Sequence, residues 1–183
     1  MIQVKLSLAF VLGVGAVRGL SAGQVIINTA WSSFELDVTE RVAIRDEETW
    51  FVFVEGKRET GFADGPAYYQ AWIRLSAAKT LEASAPDEAF LIVGSPLEYC
   101  VLKGQVRHGV AMLHDGPGGV SVDVDLVFRM VDSLASDLEV PDIELRVEQL
   151  DALQAEDLIR HLDGPALKCV PELRDWKSRL VAH

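Results

Sequence analysis

The sequence predicts an α+β fold: mainly an antiparallel sheet of meander type, with one central helix and C-terminal helices packed on it. Three observations predict it. Short runs of alternating apolar and polar residues recur between Gly- and Pro-bearing turns, the pattern of strands and hairpins. A stretch rich in good helix formers, 67–83, interrupts those runs. The C-terminal segment then carries helix caps and stops.

Residues 1–23 admit two readings. Lys5 precedes an apolar run from Leu6 to Val17, and the small residues Ser21, Ala22 and Gly23 follow, the outline of an export signal. Alternatively, Ile2, Val4, Leu6, Leu8 and Phe10 alternate with Gln3, Lys5, Ser7 and Ala9 as a first strand. Alternation fails beyond Phe10, so export is the first expectation. A secreted or periplasmic location goes with it, and a cytoplasmic one is the alternative. The run is too short to cross a bilayer as a helix, so no membrane insertion is expected. Residues 24–183 read as a single α+β domain.

Within that domain, Phe34, Leu36 and Val38 alternate with Glu35, Asp37 and Thr39 as a half-buried strand. The turn Asp46-Glu47-Glu48 separates the run from Val42 to Ile44 from Trp50-Phe51-Val52-Phe53-Val54. That second run is apolar on both faces and predicts a strand covered on both sides. Pro66 stands where a helix accepts its first residue. Ala67, Ala71, Leu75, Ala78 and Leu81 then share a helical face, and a strand over Tyr69, Ala71, Ile73 and Leu75 is the alternative.

A meander follows over Phe90–Val93, Tyr99–Leu102, Val106–Leu113 and Val120–Met130, with 115–119 as a hairpin loop and Ile143, Leu145 and Val147 marking a further strand. Asp151 can cap a helix reaching Leu162, stopped by Gly164-Pro165. Pro171 opens a final helix carrying Leu173, Trp176 and Leu180.

Charge narrows the function classes. Seventeen Lys and Arg against 28 Asp and Glu give −11 over 183 residues. Nucleic-acid binding draws on counterion release at a basic patch, and no such patch exists here, so no nucleic-acid partner is expected. An acidic surface favours a basic protein partner. The outward sides of the last strands would gather Asp123, Asp125, Glu144 and Glu148. Carboxylates facing one another across strands are unfavourable without a compensating charge, so this face is the first candidate interaction surface.

Catalytic signals are sparse. His108, His114 and Asp115 form the sharpest polar grouping and are the candidate metal ligands, since His108 and His114 share a strand face. Cys100 follows Tyr99 in an apolar strand, which suits a buried thiol rather than a nucleophile. Cys100 and Cys169 are the candidate disulfide in an oxidising compartment, and buried thiols otherwise. No GxSxG elbow or HExxH motif occurs, and Gly13-Val14-Gly15 lacks the third glycine of a dinucleotide fingerprint, so no cofactor is expected. The leading expectation is a non-catalytic binding protein, of inhibitor or immunity type, for a basic partner. A carrier of a small apolar ligand is the alternative, and a metal-dependent enzyme using His108 and His114 the third reading. No oligomeric state is assigned.

Overall fold

The computed structural model describes residues 23–59, 66–76, 84–116, 119–132, 139–154, 158–162 and 164–181. The segment 1–23, expected as an export signal or a first strand, lies outside them except for Gly23.

The described residues form nine strands and three short helices. The strands are β1 (Gln24–Asn28), β2 (Ser33–Glu35), β3 (Asp37–Asp46), β4 (Thr49–Arg58), β5 (Ala67–Ser76), β6 (Glu88–Gly94), β7 (Leu102–Gly116), β8 (Gly119–Asp132) and β9 (Glu139–Gln154). The helices are α1 (Leu158–Leu162), α2 (Ala166–Cys169) and α3 (Leu173–Val181).

From β3 to β9 each strand pairs antiparallel with the next. The end of β9 then returns alongside β3 in parallel, through Val42↔Leu153 and Ala43↔Gln154. β1 pairs antiparallel with the middle of β9, Glu144 to Glu148, β2 pairs with the other side of β1, and the Leu36 N–H donates to the Val25 carbonyl. The result is a nearly closed antiparallel barrel, not an α+β sheet built round a central helix.

Two cores follow from strand alternation. Inward residues such as Trp50, Val52, Ile73, Leu91, Leu113, Leu126, Phe128 and Met130 fill the barrel. Their fit is close: Met130 Sδ stands where a Cβ on residue 104 would be, so Gly104 makes room for that side chain. Outward residues Val42, Phe51, Phe53, Trp72, Phe90 and Ile92 form a second core beneath the C-terminal helices, with Leu158, Leu162, Leu173 and Trp176. Strand β4 therefore loses water on both faces, as its unbroken apolar run requires.

The central helix expected over 67–83 is absent from its described part, which is β5; residues 77–83 lie outside the described residues. The physical reason is a degeneracy of spacing. Ala67, Ala71 and Leu75 recur every four residues, which satisfies a helical face and a strand face alike. Tyr69, Ala71, Ile73 and Leu75 point into the barrel and Trp72 into the second core, while aromatic and β-branched side chains favour the pleated form. The helix expected from Asp151 is also shorter. Asp151–Gln154 completes β9, whose end seals the ring, and the described helix there is α1, Leu158–Leu162. Likewise 99–101 form a connection, and β7 starts at Leu102. The final helix lies where Leu173, Trp176 and Leu180 place it, with Leu173 and Trp176 buried. Among the described residues no helix is long and apolar enough to cross a membrane.

Candidate functional site

On β8 and β9 the inward set is Val122, Val124, Leu126, Phe128, Ile143, Leu145 and Val147. The residues between them face outward, on a part of the wall that the described helices leave bare, and Val110 on neighbouring β7 is 42% exposed there. Asp123, Asp125, Glu144 and Glu148 all belong to that outward set.

They are not four equivalent charges. Arg146 lies directly across from Asp125, and its guanidinium reaches Asp125 at 3.7 Å and Glu144 at 3.0 Å. Glu144 also accepts from the Asn28 side-chain amide at 3.0 Å. Asp123 serves the fold. Its carboxylate accepts the Gln149 N–H at 2.7 Å, at a bulge where Gln149 adopts a left-handed backbone with φ 48°. Glu148 is exposed. The face is thus shared but threaded by one arginine.

The histidine grouping comes apart along the strand. His108 and His114 are both exposed on β7, but six residues of strand separate them by about 20 Å, whereas ligands of one ion must converge within about 4 Å. Facing the same way does not bring them together. His114 instead meets Asp123 at 3.1 Å, and Asp115 lies 3.9 Å from Arg45. Among the described residues no three His, Cys, Asp or Glu side chains converge as a metal site. Cys100 and Cys169 are joined as a disulfide, Cα atoms 6.0 Å apart, tying α2 to the connection between β6 and β7.

A polar recess on the outer wall escaped the sequence reading. Glu55 on β4, Gln70 on β5 and Ile92 on β6 are cross-strand neighbours on one outward row. Gln70 is only 8% exposed, the one polar residue buried to that extent among those described. Its Nε2 donates to Glu55 at 2.6 Å, and the Tyr99 hydroxyl donates to its Oε1 at 2.5 Å. Thr39 adds a donor to Glu55 at 3.0 Å.

The carboxylate orders this chain. It can only accept, so it turns the amide nitrogen of Gln70 towards itself and leaves the amide oxygen for Tyr99. Tyr99 is delivered by a tight loop in which Ser95 and Glu98 exchange backbone hydrogen bonds. The Tyr99 carbonyl passes where a Cβ on residue 94 would sit, so Gly94 is required there. With Tyr68 and Ser95, these residues enclose about 230 Å³. The signal was present in the sequence: Gln70 lies within an otherwise apolar run, but a helical reading of 67–83 hides the row it shares with Glu55.

Two further features flank the second core. His161 stacks on Phe53 with centroids 4.5 Å apart and bonds Glu40 at 2.9 Å. A wider groove of about 710 Å³ runs between α2–α3 and the outer side of β6–β8, where Lys103 donates to the Cys169 carbonyl at 3.3 Å.

No protein-family model matches this sequence, and neither a curated protein nor a solved structure matches it.

Proposed function

We propose that the protein is a non-catalytic binding protein, of inhibitor or immunity type, that engages a basic partner protein through the outward face of β8 and β9. One observation carries the reading: the strand register turns Asp125, Glu144 and Glu148 outward together on a stretch of wall that the described helices leave bare. Complementary charge accelerates encounter and rejects wrong partners. Arg146 holds two of the carboxylates in fixed positions, which orders the negative pattern. The packed barrel interior gives the apolar-carrier alternative no support, and the separation of His108 from His114 gives none to a shared metal. The Cys100–Cys169 bridge favours an oxidising compartment, in keeping with an exported protein, and sequencing the mature N-terminus tests that.

The test is capture from an extract of the source organism, followed by reconstitution with the purified captured protein. The wild type is compared with a variant carrying Asp125→Asn, Glu144→Gln and Glu148→Gln. The reading expects a basic protein whose association slows steeply with added salt and is weakened at least about tenfold by the variant. A partner held equally by both proteins, or one with an acidic surface, overturns it.

A further inference from the structure

We propose that the recess formed by Glu55, Tyr68, Gln70, Ile92, Ser95 and Tyr99 is a binding site for a small organic cation with a primary ammonium head. It lies across the barrel from β8 and β9, so it is independent of the interface proposed above.

Acceptors lead among the polar atoms at this recess. Gln70 directs one of its two amide hydrogens to Glu55, and Tyr99 spends its phenol hydrogen on Gln70. The Ser95 hydroxyl oxygen accepts the Glu98 N–H at 3.1 Å. The recess thus presents a carboxylate that can only accept, beside the Ser95 and Tyr68 hydroxyls, which can accept as well as donate, and this set fits a ligand rich in N–H donors.

The charge points the same way. Glu55 receives only neutral donors, Thr39 and Gln70, and among the described residues no cation pairs with it. Glu40, directly across from it, is a second carboxylate and pairs with His161, so the neighbouring strand offers Glu55 no cation at that position. A half-buried carboxylate that receives only neutral donors can add a charge-assisted hydrogen bond from an ammonium group, about twice as strong as a neutral one. The rest of the lining is apolar, from Ile92 and the rings of Tyr68 and Tyr99. At about 30 Å³ per water-sized group, the enclosed volume holds a ligand of about eight non-hydrogen atoms.

The experiment titrates the full chain with three probes of matched length: n-hexylammonium, 1-hexanol and hexanoate. Binding is followed by calorimetry and by NMR shifts at Ile92 and Tyr99. The ammonium binds, the alcohol binds at least about tenfold more weakly, and the carboxylate does not bind. Glu55→Gln keeps the size and hydrogen-bonding shape of the side chain and lowers ammonium binding at least about tenfold. The β8–β9 triple variant binds the ammonium as the wild type does. Equal binding of alcohol and ammonium, or no ammonium binding, overturns the proposal on wild-type protein alone, whatever the folding of the variant. Ammonium binding retained in Glu55→Gln but lost in the triple variant places the cation elsewhere and also overturns it.

Discussion

Tyr99 links the polar row of the outer wall to the pH response of the fold. Burial raises its hydroxyl above the ordinary phenol value; the hydrogen bond to Gln70 lowers it in part, and the charge of Glu55 raises it again. Tyr69 points into the barrel beside Phe34 and is raised by burial, against a smaller lowering by Arg58. A raised pKa in the fold means that the native state holds its protons more tightly than the unfolded chain. The stability they contribute is complete below about pH 10, and it drains away as pH climbs from there through the folded values. Ultraviolet titration is expected to show Tyr69 and Tyr99 ionising later than free tyrosine, with denaturant stability falling over the same range. Three tyrosines ionising together at the ordinary pKa would contradict this. At this scale the sequence was only partly readable. The outward identity of Asp125, Glu144 and Glu148 follows from simple alternation. The role of Asp123 at a bulge, and the meeting of Glu55, Gln70 and Tyr99, depend on register between strands that no local pattern encodes.

The C-terminal helices are held by burial and by one covalent tie. Helix α1 has five residues and α2 four, too few to persist on their own propensity, so their order comes from the second core. Trp176 anchors α3: its ring packs against Phe51, Trp72 and Phe90, and its indole N–H donates to Glu88 at 2.8 Å. The disulfide joins residues 69 apart in sequence, and on the chain-entropy view closing a loop of that size stabilises by about 4 kcal/mol. Reduction with dithiothreitol is expected to lower the melting temperature and to release the amides of α2 and α3 to hydrogen exchange before those of β4. An unchanged melting temperature after full reduction would count against that stapling role. The helices also explain what the sequence made plain and what it hid. A strand apolar on both sides, such as Trp50–Val54, announces two covers. A strand whose outward side carries Gln70, Trp72 and Arg74 reads ambiguously, because the cover over Trp72 comes from residues about a hundred positions later.

For the whole molecule, closure rests on a narrow seam. Where β3 meets β9 there are two register pairs, whereas β7 and β8 pair along nearly their whole lengths. Opening free energies follow such differences in local pairing, so amides at the seam near Val42 and Leu153 are expected to exchange well before those of Leu126 and Phe128. Equal protection at both places would show that the cylinder opens only as a unit. The barrel was not legible as a barrel: alternation identifies strands and their inward sides, but whether the first long strand finds the last is a property of the complete chain. That dependence has a consequence for biosynthesis. Val42 cannot meet Leu153 until the intervening hundred or so residues have left the ribosome, and joining such distant partners is entropically slow. During that interval the growing sheet presents a free edge, so the nascent protein is exposed to edge-to-edge pairing with other chains and to capture by chaperones.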